Sequence, residues 1–182
     1  KISSRKFAVQ GTPTDCVMMA MNQVMADKRP DLLLSGINRG ANMGEDVTYS
    51  GTIAAAMEGT LVGVPSIALS QSFANRKIMH WPTAEKHAAD IIRRLVALGW
   101  SSEVLMNVNF PDVLPGDVKG VEICRQGRRD ITALNIEERI DARERPYYWL
   151  GYRPVHGTPK AGTDLAVTES GRIAITPLHM DL

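Results

Sequence analysis

The feature that most constrains the fold of this chain is the succession of a short apolar segment, a glycine-rich loop, an alanine-rich helix and a second apolar segment. Residues 31–34 carry a short apolar run that predicts a central parallel strand. The helix is expected over residues 50–62, because Gly63 and Pro65 end it, and residues 66–69 are typical of the next strand. This order makes a βαβ unit, whose crossover we expect to be right-handed.

The same alternation continues toward the C-terminus and predicts an α/β fold with a mostly parallel sheet. Residues 83–98 have the pattern of an amphipathic helix that stops at Gly99. Its apolar face is made of Ala84, Ala88, Ile91, Ile92, Leu95 and Leu98. Further strands are expected at residues 104–108, 120–124 and 172–175.

A strand and a helix are also predicted near the N-terminus. Residues 7–9 are expected to end a short strand. Thr12 is predicted as a helix N-cap, with Pro13 in the first helical position and Asp15 three residues past the cap. The helix, over residues 13–25, is apolar on nearly every face, which predicts burial against a sheet and a neighbour. Its methionines are expected to fill core space: Met18, Met19, Met21 and Met25.

Composition and charge exclude several classes of protein. At 182 residues the chain is long enough for one domain with a sizeable core, or for one domain with an appended arm. A net charge of +1 gives no reason to expect nucleic acid as a stable partner. Cys16 and Cys124 lie far apart without a CxxC spacing, which excludes a disulfide scaffold and a thiolate zinc site and favours a reducing, cytoplasmic location.

The chain carries no membrane or export signal that we recognise. No apolar run approaches the roughly 20 residues that span a bilayer, so we expect no membrane partner. Residues 1–5 are too polar for a signal peptide. The absence of an initiating Met indicates an N-terminus that is truncated or unresolved.

The strongest candidate site is the segment 35–44, which follows a predicted strand at the carboxyl edge of the sheet, where open α/β folds bind ligands. Its glycines permit positive φ angles and close approach of the backbone to a ligand: Gly36, Gly40 and Gly44. Asn38 offers an amide oxygen that suits a hard cation such as Mg²⁺. Asn42 could instead bond its own backbone and hold the loop. A long turn with no ligand is the structural alternative for the whole segment.

A second candidate is the predicted helix start at Tyr49-Ser50-Gly51-Thr52. A helix N-terminus has unpaired N–H groups and a partial positive charge, so it is suited to bind phosphate. Ser50 and Thr52 add hydroxyl donors, and Gly51 lets an anion approach the backbone. Ser50 as an ordinary N-cap explains the serine equally well. A Walker lysine and a complete GxGxxG are both missing, which excludes a standard NTP or dinucleotide loop.

Other reactive side chains form no recognised motif. His87 falls on a predicted helix and is expected at its surface or boundary. There is no HExxH or paired metal spacing, no GxSxG elbow, and no nucleophile motif around either cysteine. The remaining histidines are His80, His156 and His179.

Residues 128–145 crowd charges together, and the aromatic group Tyr147-Tyr148-Trp149-Leu150 follows. Because aromatic residues are enriched at interfaces, we predict an extended arm over residues 127–159 that docks on a second subunit. A surface loop that covers its own domain is the alternative. Residues 1–126 with 160–182 make up the predicted core.

Four stretches, in this order, resemble the SurE family of nucleotidases. The first is Gly11-Thr12-Pro13-Thr14-Asp15-Cys16-Val17. The second is Ser35-Gly36-Ile37-Asn38 with Gly40, Asn42 and Gly44. The third is Tyr49-Ser50-Gly51-Thr52 with Ala54, Ala55, Ala56, Glu58 and Gly59. The fourth is Gly162-Thr163-Asp164, then Ile175-Thr176-Pro177-Leu178-His179 and Asp181-Leu182. Each stretch is weak alone, but the combination is specific and covers essentially the whole chain.

The resemblance implies a Rossmann-like three-layer sandwich with a mostly parallel sheet and a protruding, swapped C-terminal arm, assembled as a homodimer or homotetramer. It also implies hydrolysis of nucleoside 5′- or 3′-monophosphates with a divalent cation, Mg²⁺ or Mn²⁺. Ser50, Gly51 and Thr52 would hold the phosphate. In the family the metal is held by two adjacent aspartates, a serine and an asparagine, and Asn38 alone matches here. The aspartates and the serine are expected before Lys1, so no catalytic residue is assigned in this numbering.

Two other functions stay open. One is a catalytically silent nucleotide- or phosphate-binding module that keeps the loop and the helix terminus. The other is an oligomerisation protein whose function lies in the arm. An Asn-Asp-Asp-Gly stretch upstream would favour the enzyme, and a monomer in solution would count against the oligomerisation protein.

Overall fold

The computed structural model describes residues 1–75, 77–128, 134–152 and 157–181. Its α-helices are α1 (Pro13–Met19), α2 (Gly51–Leu61), α3 (Trp81–Leu98) and α4 (Asp164–Glu169). Its strands are β1 (Leu33–Arg39), β2 (Ser66–Gln71), β3 (Val104–Phe110), β4 (Val121–Ile123), β5 (Leu134–Ile140), β6 (Pro146–Tyr152) and β7 (Ile173–His179). A π-helical turn at Ala20–Val24 continues α1, and 3₁₀ helices lie at Gly44–Thr48 and Pro115–Asp117.

Five strands form one sheet in the order β1-β2-β3-β7-β4. The first three are parallel to one another, β7 is antiparallel to β3, and β4 is parallel to β7. The predicted α/β fold with a mostly parallel sheet is confirmed. The prediction that residues 31–34 form a central strand is wrong, because β1 pairs with β2 on one side and lies at the edge of the described sheet. Its Leu34 is accordingly 48% exposed.

Helices cover both faces of the sheet, as a three-layer sandwich requires. On one face α3 packs over a cluster of buried side chains that includes Ile67, Ile91 and Phe110. On the other face α2 packs over Ala68 and Leu105, and α4 lies farther along, against β3 and β7. Alternate residues of β2 therefore face opposite layers, as the pleat of a strand dictates.

The crossover helix α2 follows its prediction closely. Ser50 is its N-cap and accepts a hydrogen bond from the Ile53 N–H at 3.1 Å. Gly63, with φ of +80°, follows its end in the left-handed region. Near that end Gly59 packs against the sheet so closely that a Cβ there would collide with the Ser66 hydroxyl and lie 2.7 Å from Leu33 Cδ1. A glycine is therefore what allows α2 to approach the first residues of β1 and β2.

The amphipathic helix α3 begins two residues earlier than predicted, at Trp81, and ends before Gly99 as expected. Ala84, Ile91 and Leu95 are buried in the core. Leu98 was predicted on the same face, but it is 79% exposed because it occupies the final helical position, directly before the chain turns. Within the described residues, no helix is both long enough and apolar enough to cross a membrane.

The N-terminal predictions are partly wrong. Residues 7–9 form no strand, and a single bridge joins Ser3 to Lys6 instead. The predicted helix over 13–25 divides into α1 and the π-helical turn, and Val17 is its one buried residue. Because α1 packs on α2, which itself covers the sheet, its outer side faces solvent. Three of the methionines expected in the core are therefore exposed: Met18, Met19 and Met25.

A two-stranded antiparallel hairpin of β5 and β6 lies within the predicted arm, residues 127–159. Apolar and aromatic side chains on it are exposed, including Ile140 at 70% and Tyr148 at 63%. Residues 129–133 and 153–156 of the arm lie outside the described residues. The arm's contact with a second subunit stays a prediction.

We expect Gly59→Val to lower the free energy of unfolding by about 1–3 kcal/mol, because overpacking a tight contact has a cost of that size. Urea denaturation followed by circular dichroism measures the change. The control is Gly116→Val, since a Cβ at Gly116 meets no described atom within 4 Å. Its cost should stay under about 0.5 kcal/mol, as for most surface substitutions. Equal losses in the two variants would contradict the packing role of Gly59.

Candidate functional site

The glycine-rich segment begins as strand rather than as loop. Gly36 was predicted in a loop, but it lies inside β1, and the loop starts at Gly40. Between Ser35 and Asn38, β1 carries one more residue than β2 does opposite, so the register shifts there. Gly36 has φ of +119°, and a Cβ on it would collide with the Leu69 carbonyl oxygen. A glycine is thus required at this position, because the irregular strand needs a positive φ and leaves no room for a Cβ.

Asn38 lies at the carboxyl end of β1 with its side chain half-buried. Its Nδ2 donates to the Gly40 carbonyl oxygen at 2.8 Å, and the Gly40 N–H donates to the Gln71 carbonyl oxygen at 2.9 Å. These bonds fix the amide plane of Asn38. Because Nδ2 is engaged, Oδ1 is the atom that the side chain can offer to a ligand.

Polar residues of three parallel strands stand in one row. Asn38 of β1 is the register partner of Ser70 in β2, which is in turn the partner of Asn109 in β3. Partners in a parallel sheet point to the same face, and Ser70 alternates with Leu69, which faces α3. The row therefore lies on the α2 face, at the carboxyl ends of the strands.

The loop after β1 is held on this row by Asn42. Its N–H donates to Asn109 Oδ1 at 2.9 Å, and its carbonyl oxygen accepts from Asn107 Nδ2 at 2.8 Å and Asn109 Nδ2 at 3.1 Å. Its side-chain Nδ2 donates to Ser70 Oγ at 2.7 Å. All four residues are buried. The alternative in which Asn42 bonds its own backbone and holds the loop is wrong about the partners. Asn42 does hold the loop, but it bonds the neighbouring strands, because their buried amides and hydroxyl need partners.

Ser70, Asn107 and Asn109 were not identified from the sequence. A signal was present, because Asn107 and Asn109 interrupt an apolar strand at alternate positions, where the same face would otherwise be hydrophobic. Buried polar residues with that spacing indicate a hydrogen-bonded network rather than a plain core. The partner, Asn42, is distant in sequence and is identified only by the fold.

The loop is held a second time at Gly44, where the 3₁₀ helix begins. The Gly44 N–H donates to Asp164 Oδ2 at 2.9 Å, and its carbonyl oxygen accepts from Gln126 Nε2 at 2.8 Å. Gly44 has φ of +55°, a conformation that glycine adopts without cost. The segment between Asn42 and Gly44 therefore has a fixed course over the sheet.

The first turn of α2 lies level with the polar row. Gly59 fixes the far end of the helix beside Leu33 and Ser66, at the start of the strands. From Gly59 back to Gly51 the helix covers roughly 12 Å, at about 1.5 Å per residue. Over the same direction β2 advances roughly 13 Å from Ser66 to Ser70. The start of α2 and Asn38 therefore share one end and one face of the sheet.

The N-terminus of α2 has the geometry predicted for it. Ser50 is half-buried and caps the helix, so its predicted role as an N-cap is confirmed. The N–H groups of Gly51 and Thr52 have no acceptor within the helix, because they belong to its first turn. Pro13 of α1 lies alongside, with its Cγ 3.0 Å from where a Gly51 Cβ would be. Gly51 therefore allows the two helix starts to touch.

The start of α1 is held by a capping box. The N–H and hydroxyl of Thr12 donate to Asp15 Oδ2 at 2.7 and 2.8 Å. Both bonds lower the pKa of Asp15, and the bond from the Thr12 backbone N–H contributes more than the bond from its hydroxyl. Because the folded pKa is depressed, the box contributes stability above the ordinary pKa of Asp and loses it as the pH falls through the lowered value.

Among the described residues, Asn38 could supply one ligand to a divalent cation. Asn38 Oδ1 is a neutral oxygen of the kind that Mg²⁺ and Mn²⁺ accept. Across the described ranges, no three His, Cys, Asp or Glu side chains come together as a metal-binding group. Among the residues that the structure describes, Asn38 is therefore the candidate ligand, and no carboxylate cluster lies beside it.

His80, His87 and the buried Cys124 take structural positions. His80 Nδ1 lies 2.9 Å from Asp112 Oδ1, and His87 Nε2 lies 3.2 Å from the Pro115 carbonyl oxygen, a boundary position as expected. Burial raises the pKa of the Cys124 thiol, which keeps it a protonated core residue. His156 lies outside the described residues.

Comparison with known proteins points to one family. The family model described as survival protein SurE matches residues 2–133. The chain is 58% identical to the 5'-nucleotidase SurE of Parvibaculum lavamentivorans, a match that covers 100% of this chain and 66% of that protein. It is 54% identical to the 5'-nucleotidase SurE of Caulobacter vibrioides, covering 100% and 70%. The chain thus spans about two thirds of the length of these curated relatives.

A solved structure is similar over the whole chain. The SurE protein from Aquifex aeolicus superposes with a TM-score of 0.85 at 37% identity, covering 100% of this chain and 73% of that one. This similarity supports the Rossmann-like arrangement of a mostly parallel sheet between layers of helices.

We expect Asn109→Ala to lower the free energy of unfolding by about 1–3 kcal/mol, because it leaves the buried Asn42 N–H without its acceptor. Thermal or urea denaturation measures the loss. The control is Asn75→Ala, since Asn75 is exposed and bonds the Lys77 N–H in a surface turn. A loss at Asn109 no larger than that at Asn75 would show that the network does not hold the loop.

Proposed function

The chain belongs to the survival protein SurE family, and from this membership we propose that it forms the larger part of a phosphatase that hydrolyses nucleoside 5′- or 3′-monophosphates. Its curated relatives are named 5'-nucleotidase SurE. The chain spans about two thirds of their length. The activity is therefore proposed for the whole protein and not for this part of it alone.

One observation in the structure carries the proposal. The segment from Asn38 to Thr52 brings an amide oxygen and a helix N-terminus to the same face and the same end of a parallel sheet. An oxygen ligand for a cation and a set of N–H donors for an anion are the two groups that binding of a metal and a phosphate requires. The buried bonds of Asn42 and Gly44 hold the chain between them in one course.

The phosphate is assigned to Ser50, Gly51 and Thr52. The free N–H groups of the first turn of α2 and the positive end of its dipole favour an anion. The Ser50 hydroxyl accepts from the Ile53 N–H, so its own proton is available to donate to a phosphoryl oxygen. Such donors stabilise charge that builds on the phosphoryl oxygens as the ester bond breaks.

Among the residues of this chain, we assign Asn38 Oδ1 as a ligand of the divalent cation, Mg²⁺ or Mn²⁺. A bound cation supplies Lewis-acid polarisation of a phosphoryl oxygen and lowers the pKa of water. The family resemblance assigns the further ligands, two adjacent aspartates and a serine, to residues that precede Lys1. Asn38 thus contributes one neutral ligand, oriented by its bond to Gly40.

The hairpin of β5 and β6 is proposed as an oligomerisation arm, in a homodimer or homotetramer. The register of the two strands puts Ile136, Ile140 and Tyr148 on one face of the hairpin, all more than half exposed. On the other face Arg139 lies 5.2 Å from the centre of the Trp149 ring. Glu138 lies on the same face as Tyr148, opposite it in the register. An exposed face that is largely apolar is typical of a subunit contact. We place the protein in the cytoplasm, whose reducing conditions suit its two free cysteines.

A phosphate-binding module without catalysis is the second candidate, and the missing carboxylate cluster in the described part of the chain favours it for this segment taken alone. The segment should then bind phosphate or sulfate and hydrolyse nothing. Rapid hydrolysis of AMP by residues 1–182 alone would overturn the assignment of the aspartates to the preceding segment.

Asn38→Ala and Ser50→Ala should affect the full-length protein differently. Asn38→Ala should raise the Mn²⁺ concentration needed for half-maximal AMP hydrolysis, because one ligand is replaced by water. Ser50→Ala should lower turnover at saturating Mn²⁺ by roughly tenfold or more, because a transition-state donor is lost. A Mn²⁺ titration of AMP hydrolysis measures both. An unchanged metal dependence in Asn38→Ala would remove Asn38 from the metal site.

The control for Ser50→Ala is Ser50→Asp. Aspartate keeps the N-cap acceptor, so helix α2 stays capped, but its charge repels phosphate. Both variants should therefore lose turnover, while only Ser50→Ala should lose about 1 kcal/mol of stability. Normal turnover in Ser50→Asp would show that the hydroxyl acts as a cap alone.

Ile140→Asp should weaken subunit association by roughly tenfold or more, because it introduces a charge into an apolar contact. Sedimentation velocity of the full-length protein measures the change. The matched control is Ile123→Asp on β4, since Ile123 and Ile140 are equally exposed, at 69% and 70%. Identical sedimentation of Ile140→Asp and the unaltered protein would contradict the arm assignment.

A further inference from the structure

The carboxylate of Asp164 joins two segments that are far apart in the sequence. Asp164 is fully buried, at 0% exposure. Its Oδ2 accepts from the Gly44 N–H at 2.9 Å, and its Oδ1 accepts from the Gly127 N–H at 2.8 Å. The Leu165 N–H adds a third bond, to Oδ1 at 2.8 Å. One side chain therefore ties the loop that follows β1 to the segment that leads into the hairpin.

A second bond closes the same connection. Gln126 lies beside Gly127 and donates from Nε2 to the Gly44 carbonyl oxygen at 2.8 Å. Both polar groups of Gly44 are thus bound, one by Asp164 and one by Gln126. At Gly127 the backbone approaches so closely that a Cβ would lie 2.7 Å from Asp164 Oδ1. Neither segment can shift without breaking a bond of the other.

The physical chemistry of the site favours a rigid connection. Burying a carboxylate is costly unless hydrogen bonds replace its hydration, and here backbone N–H groups do so. An N–H bond to a charged oxygen is roughly twice as strong as a neutral one. A loop displaced from Asp164 would leave a buried charge with fewer donors, so the loop has one strongly preferred position.

We propose that Asp164 is a positioning residue for the phosphate site, acting through Gly44 on the segment that ends at Ser50. This inference rests on the proposed function. Gly44 opens the 3₁₀ helix that leads directly to the start of α2, so its position sets where the Ser50, Gly51 and Thr52 donors begin. A misplacement of about 1 Å at a catalytic site can cost on the order of a hundredfold in rate. The same carboxylate also binds the Gly127 N–H, so the loop and the segment that precedes the hairpin in the sequence share one support.

The test uses Asp164→Asn in the full-length protein. The Asn side chain keeps one acceptor oxygen and turns the other into a donor, which must then face a backbone N–H. Amide hydrogen exchange across residues 40–48, read by mass spectrometry, should accelerate by roughly tenfold or more, because the opening of a local unit sets exchange. Turnover of AMP at saturating Mn²⁺ and substrate should fall by about tenfold to a hundredfold.

Gln126→Ala is the second variant, in case Asp164→Asn fails to fold. Gln126 is exposed, so the substitution leaves the core intact while it removes one of the two bonds to Gly44. Gln126→Ala should accelerate amide exchange in the loop and lower turnover, both by smaller factors than Asp164→Asn does. In the double variant the effects should not add, because both residues act on the same peptide.

Ile91→Val and Ile91→Ala are the controls for lost stability. Ile91 lies on the buried face of α3, which packs on the opposite face of the sheet from the loop. These variants should lower the melting temperature without selective exchange at residues 40–48. The proposal is overturned if Asp164→Asn leaves loop exchange at the level of the Ile91 variants, or if it loosens the loop while turnover matches theirs. If the unaltered full-length protein hydrolyses no nucleoside monophosphate, the proposed function fails, and hydrogen exchange still decides whether Asp164 holds the loop.

Discussion

The architecture of the candidate site depends on buried polar groups that must find partners. Three buried polar residues lie on one face of the sheet: Ser70, Asn107 and Asn109. Apolar side chains at these positions would require no hydrogen bonds from the loop. An unpaired amide there would cost on the order of 1–3 kcal/mol, a large part of a domain's net stability. The backbone at Asn42 satisfies these amides, and in doing so it fixes the course of the loop. The position of the loop is therefore fixed by the same hydrogen bonds that stabilise the fold.

Two close backbone approaches set the remaining geometry. Gly59 lets the far end of α2 reach the first residues of β1 and β2, and Gly51 lets its near end touch Pro13. A helix held at both ends cannot slide along the sheet, so its first turn stays level with Asn38. The N-terminal end of α2 and an amide at a strand end are thus brought together by packing contacts at Gly51 and Gly59.

Local signals in the sequence predicted the elements, and contacts between distant segments decided the rest. The N-caps Thr12 and Ser50 were identifiable because capping depends on a few neighbouring residues. The burial of α1 was predicted wrongly, because an apolar helix shows no sign of which neighbour covers it. The extent of β1 was missed because Gly36 is typical of a turn, whereas here it permits a register shift. Asn38 and Ser50 could be named as candidate site residues from local sequence. The Asn42 network and the bonds of Asp164 could not be predicted, because they depend on the register of the strands and on the position of a C-terminal helix.

The irregularity in β1 also bears on how copies of this chain behave in concentrated solution. A sheet edge offers a row of backbone groups to which a foreign strand can add, and regular pairing is what makes such addition cooperative. In β1 the regular register with β2 runs from Leu33 to Ser35 and then shifts before Asn38. A bulge bends and twists its strand, so an incoming strand finds few residues in line before the edge turns away. The glycine at the irregular end of β1 thereby shortens the part of this edge, as the described sheet presents it, on which aggregation could start.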